Sequence, residues 1–169
     1  MEIQEGVLTF KFETVNGSLA SQYDTWEFYR QQFIKVAGGT KAVDFIYFNK
    51  PQNTSWLIEV KDYRHPDTEQ IKPSKLGDIV AIKVRDTLAG LAAARFNAND
   101  LQEKRLADKL LKANSIRVVL HMEQNPRRDR YIDPADVLLK LKQSLKAVDA
   151  HPRVVNTSNL ISKMSWQVS

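Results

Sequence analysis

Three ionisable residues within residues 41–64, KAVDFIYFNKPQNTSWLIEVKDYR, have the types and the spacing to do chemistry. Asp44 falls in a first apolar, strand-like run, and Glu59 and Lys61 fall in a second. Side chains on a β-strand alternate faces, so Glu59 and Lys61 leave the same side as Leu57, while Ile58 and Val60 point the other way. A hairpin around Pro51, Gln52 and Asn53 brings Asp44 up to Glu59. Two carboxylates in one largely buried patch repel, and one of them tends to take up a proton. A divalent cation removes the conflict, because hard Mg²⁺ prefers carboxylate and water oxygens. The lysine beside them is then positioned for a phosphate oxygen or an attacking water. The plainer alternative is a cross-strand ion pair on a solvated face.

Asp44, fourteen intervening residues and then Glu59-Val60-Lys61 resemble the signature of the PD-(D/E)XK nuclease superfamily, the restriction-endonuclease-like fold. The residue before Asp44 is Val43, where the family name has proline. The resemblance covers roughly residues 20–125 and implies an α/β protein, a single-domain restriction-endonuclease-like core with a mixed central sheet flanked by helices. It also implies Mg²⁺ or Mn²⁺ held by Asp44 and Glu59 with the backbone carbonyl of Val60, Lys61 as the catalytic ammonium, and DNA as the polymer cut. Members often place a helix before the catalytic hairpin, and some draw a further acid from it. Glu27 is the candidate here, against the plainer reading of an exposed carboxylate favoured by the helix dipole. Arg64, Lys72 and Lys75 after the second run, and Arg127, Arg128 and Arg130 in QNPRRDR, are candidate phosphate contacts; the guanidinium forks suit phosphate oxygens.

Composition sets the outer bounds. A chain of 169 residues with 43% hydrophobic and 27% charged side chains has room for a sizeable core in one domain. No apolar run approaches a membrane span, and MEIQEGVLTF has no basic region followed by an apolar one. Zero cysteines exclude disulfides and thiolate metal sites and suit a reducing cytoplasm. The three histidines, at 65, 121 and 151, lack the spacing of a local zinc motif, so a metal site is expected to use oxygen ligands. The net charge of +5 is uneven: residues 1–60 carry 5 basic and 7 acidic side chains, and residues 61–130 carry 15 and 10. A positive surface following the Glu59–Lys61 run favours a polyanionic partner.

The elements that must position these groups follow from periodicity. Alternation predicts a strand over 8–12, and Asn16-Gly17-Ser18 a turn. A helix is expected over 24–36, with Asp24 and Glu27 as a capping box, Tyr23, Trp26, Tyr29 and Phe33 as a core stripe, and Gly38-Gly39 as its end. A polar loop over 62–75 leads to a helix over 75–94 that includes Lys83 and Arg85. Asp100 and Glu103 form a second capping box before a helix over 101–112, and IRVVLHM reads as a buried strand. Asp133-Pro134 opens a last helix with Val137, Leu138, Leu141, Leu145 and Val148 on one side, and 153–157 is a short strand. The strand over 8–12 is expected either as an extra strand of the main sheet or as the first strand of the catalytic meander.

Two other functional classes fit the same residues. One is a nuclease-like fold that serves as a non-catalytic DNA-binding or assembly module; the other is a protein-interaction domain whose carboxylate–lysine cluster is an ion-pair network. A homodimer suits double-strand cleavage, since one site cuts one strand.

Overall fold

The computed structural model describes residues 1–65, 71–125 and 131–169. Its centre is a five-stranded mixed sheet made of β3 (Leu19–Gln22), β4 (Phe45–Asn49), β5 (Thr54–Asp62), β6 (Ser115–Glu123) and β7 (Arg153–Val155), in that order across the sheet. The first three strands form an antiparallel meander, and β5, β6 and β7 run parallel. Parallel neighbours need a crossover. Helices α2 (Pro73–Asn97) and α3 (Leu101–Leu111) supply the first, and α4 (Pro134–Leu145) supplies the second.

Strand β5 explains why the sheet has two different faces. Leu57 packs with the helices, in a core that also contains Val80, Val84, Leu91, Leu110 and Leu141. Ile58 and Val60 face a second core closed by a small antiparallel sheet of β1 (Glu2–Glu5), β2 (Leu8–Phe12) and β8 (Trp166–Val168). Among the described residues, this α/β architecture has its mixed sheet flanked by helices on one side only. The other side is covered by Leu8, Phe10, Phe12 and Trp166, all buried.

That cover corrects the expectation for residues 8–12. They join neither the main sheet nor the meander, whose first strand is Leu19–Gln22. The chain ends pair with each other through β2 and β8, and one strand's alternation cannot reveal so remote a partner.

The helix expected over 24–36 is broken. A 3-10 turn at Tyr23–Thr25 precedes α1 (Glu27–Gln31), and a 3-10 stretch at Phe33–Gly38 follows, with Ala37 at φ +51°. Tyr23, Trp26, Tyr29 and Phe33 are nevertheless all buried. The Asp24–Glu27 capping box does not form, and the N-cap residue of α1 is Trp26. Instead, Glu103 from α3 accepts from the backbone N–H groups of Glu27 at 2.7 Å and Phe28 at 3.1 Å. Asp100 does cap α3, accepting from Gln102 and Glu103. Glu103 thus meets the free donors of a different helix, the electrostatic preference that makes acids good N-terminal partners. At Gly90 any side-chain carbon would run into Tyr23 and Phe33, which is how α2 lies close to this aromatic segment.

Candidate active site

The hairpin turn sets the register of the site. Asn53, at φ +46°, closes the turn with its N–H donating to the Lys50 carbonyl, a left-handed conformation that asparagine tolerates. Asn49 then pairs with Thr54, and Phe45 with Ile58. One more step along that register sets Asp44 opposite Glu59. Asp44 stands just before β4 rather than within it. Its segment is pinned: Lys41 N–H donates to Asp86 Oδ2 at 2.9 Å, Val43 N–H to Thr87 Oγ1 at 3.1 Å, and Tyr23 N–H to the Asp44 carbonyl at 2.8 Å.

Four ionisable side chains meet there. Asp44 Oδ2 accepts from Val60 N–H at 2.6 Å. Glu59, fully buried, has Lys61 Nζ and Lys83 Nζ each 2.6 Å from its Oε1. Lys83 Nζ also lies 3.7 Å from Asp44 Oδ1, so one ammonium spans the two carboxylates. Glu59 Oε2 is buried and has no hydrogen-bond partner among the described residues. The cluster is therefore not an ion pair on a solvated face. The N–H and C=O of one strand residue turn to the same neighbouring strand, so the Val60 carbonyl faces the Asp44 side, where β4 has ended.

Burial pushes the Glu59 carboxyl up, and Asp44 adds to the rise against the pull of Lys61 and Lys83; the balance lies at about 7. Burial pulls the Lys61 ammonium down, but Glu59 outweighs it and the net direction is up. Glu59 thus holds its proton more tightly folded than unfolded, where the ordinary value is 4.5. The folded state binds the extra proton between those two values, so this group's contribution to stability falls as pH rises through the window, by about 3 kcal/mol. Urea unfolding at about pH 5 and about pH 8 measures it: the wild-type chain should lose that increment relative to Glu59→Gln, and parallel profiles would refute it.

Two further acids border the cluster, and neither is Glu27. Burial and the charge of Asp44 raise the carboxyls of Glu5 on β1 and of Asp24. Gln22 Nε2 donates to Glu5 Oε2 at 3.1 Å. Glu27 is exposed at the start of α1. Arg64 is taken up by Asp62, with Nε at 2.8 Å and Nη2 at 2.6 Å from its two oxygens. Lys72, the N-cap residue of α2, and Lys75 in its first turn are exposed. Arg127, Arg128 and Arg130 lie outside the described residues. His121 is buried, its Nε2 2.9 Å from Glu123 Oε1, on the face opposite Glu59 and against Phe10.

Lys83, named with Arg85 on the helix expected over 75–94 but not among the candidate site residues, completes the cluster. It follows Val80 by one helical turn and precedes Val84, both fully buried, so it borders the sheet-facing side of α2. That proximity to an apolar face was the available signal.

No protein-family model matches the chain, and no solved structure matches it. The chain is 30% identical over 209 aligned residues to a cysteine–tRNA ligase of Neisseria meningitidis serogroup A; the match takes in 99% of this chain and 29% of that relative. The chain thus spans less than a third of the relative's length. Among the described residues no helix is long and apolar enough to cross a membrane.

Proposed function

We propose that the chain is a metal-dependent nuclease with a restriction-endonuclease-like core that hydrolyses DNA phosphodiester bonds. The observation that carries this reading is the meeting of Asp44, Glu59 and Lys61 at the end of β5, with a buried Glu59 oxygen left without a partner among the described residues. The antiparallel meander that crosses through α2 to a parallel β6 supports the fold assignment.

The residues fit a hard divalent ion. Among the described residues no three acidic or histidine side chains form a ready ligand group, but Mg²⁺ is commonly held by one or two carboxylates with the rest of its shell left to water and phosphate. Asp44, Glu59 and the Val60 carbonyl would hold Mg²⁺ or Mn²⁺, which supplies Lewis-acid stabilisation of the phosphoryl charge and a more acidic water. Lys61, 30% exposed at its side chain and oriented by Glu59, presents its ammonium to the scissile phosphate and the attacking water. Lys83 is less exposed and holds the two carboxylates together before the ion arrives.

Lys83 also favours a second reading. An ammonium already between the acids balances part of their charge, as in a non-catalytic DNA-binding module. Incubation of the chain with plasmid, single-stranded DNA and, because the relative is named for tRNA, tRNA distinguishes the two. Cleavage with Mg²⁺ or Mn²⁺ that stops in chelator is expected. Salt-sensitive binding without cleavage under any metal condition would leave the binding module instead.

A further inference from the structure

We infer that a cleft on the sheet face opposite Glu59 is a binding site for a phosphoryl group, independent of the carboxylate cluster. Two cavities of about 240 and 420 Å³ share Trp56, Arg117 and Lys163 as walls. Trp56 belongs to the core under the three-stranded sheet, and Arg117 is its register neighbour on β6. The cleft is built around a buried acid. Asp149, 3% exposed, accepts from Val118 N–H at 2.9 Å, His151 N–H at 2.9 Å and Arg117 Nη1 at 3.0 Å. Its charge is matched by Arg117, whose guanidinium is thereby fixed at the wall.

The remaining groups are donors in search of an acceptor. Arg153 and Lys163 have no ion pair among the described residues. Trp56 is 4% exposed, and its indole N–H, without an acceptor among the described residues, is itself buried, so the ring backs the cleft as a wall. Arg117, Arg153 and Lys163 can only donate. They reach the cleft from β6, β7 and the segment before β8. A ligand that only accepts and carries negative charge satisfies them, and a phosphoryl group offers oxygens in several directions where a carboxylate offers two in one plane.

The full chain is titrated in chelator, so that no phosphate is held through a metal at Asp44 and Glu59. The probes are inorganic phosphate, a nucleoside 5′-monophosphate and a 5′-phosphorylated trinucleotide, followed by calorimetry and tryptophan fluorescence. Trp56 and Trp166 have ring centroids 5.2 Å apart, so filling the cleft changes the emission. Saturable binding is expected, and the tightest probe names the source of the phosphoryl group. The double variant Arg153→Gln/Lys163→Gln changes two exposed residues outside the Asp149 framework and should weaken binding about tenfold or more. Absence of saturation by every probe, or equal affinity in the double variant, overturns the site.

Discussion

Lys61→Ala should fold normally and cut DNA on the order of 10²–10³ times more slowly than the wild-type chain, the usual cost of removing one preorganised charge from a developing anion. Folding is spared because Lys83 Nζ remains 2.6 Å from Glu59 Oε1, so the buried carboxylate keeps an ammonium partner. The Lys61 side chain is itself 30% exposed, and truncating it opens no internal cavity. The loss should fall on the chemical step, because one lysine among many basic residues adds little to polymer affinity. Single-turnover cleavage of a labelled duplex, beside binding measured at two salt concentrations, separates these effects. A variant of verified purity that cuts at the wild-type rate ends the catalytic assignment of Lys61, and Asp44→Ala cutting at that rate would end the nuclease reading as a whole.

The parts of this site that were legible in the sequence are those governed by local alternation. Glu59 and Lys61 share a face because they are two residues apart on a strand, and the Pro51–Asn53 turn sets the pairing that brings Asp44 opposite Glu59. The parts that were not legible depend on remote partners. Trp26, Tyr29 and Phe33 carry the right burial for a core stripe, but the backbone starts α1 where Glu103, 76 residues away, caps it, and turns out of the helix at Val36 and Ala37. Periodicity reports which side chains are buried without reporting whether the helix connecting them is continuous. Strand β3 buries only Ala20 among its four residues, so it has almost no pattern to read. Glu5 approaches Asp44 only because β1 pairs with β2 under a sheet edge. Lys83 had the composition of a solvated helix residue, and its role depends on how α2 lies across β5.

Lys83→Ala is the sharpest test of whether the carboxylate pair is an ion site, because removing this ammonium leaves two close carboxylates in a buried setting with Lys61 alone. The side chain is only 18% exposed, 2.6 Å from Glu59 Oε1 and 3.7 Å from Asp44 Oδ1. Glu59 keeps Lys61 at 2.6 Å, so the cost is that of the ammonium spanning both acids and falls below the roughly 3–5 kcal/mol of a buried pair broken outright; in chelator the melting temperature should drop by on the order of 5 °C. The defect should deepen as pH rises past the Glu59 value of about 7, since below it Glu59 takes up a proton and sheds the unmatched charge. Millimolar Mg²⁺ should then restore most of the loss, because a ligand that binds only the folded state stabilises it by mass action. The wild-type chain, whose ammonium already spans the pair, should gain less from the same addition. Thermal unfolding of both proteins with Mg²⁺ and with chelator reads this directly. An unchanged Lys83→Ala melting temperature on adding Mg²⁺ or Mn²⁺ would mean that Asp44 and Glu59 bind no divalent ion and that the cluster is an internal ion-pair network, whereas recovery confined to the variant would mark Lys83 as the residue that replaces the metal in a binding module.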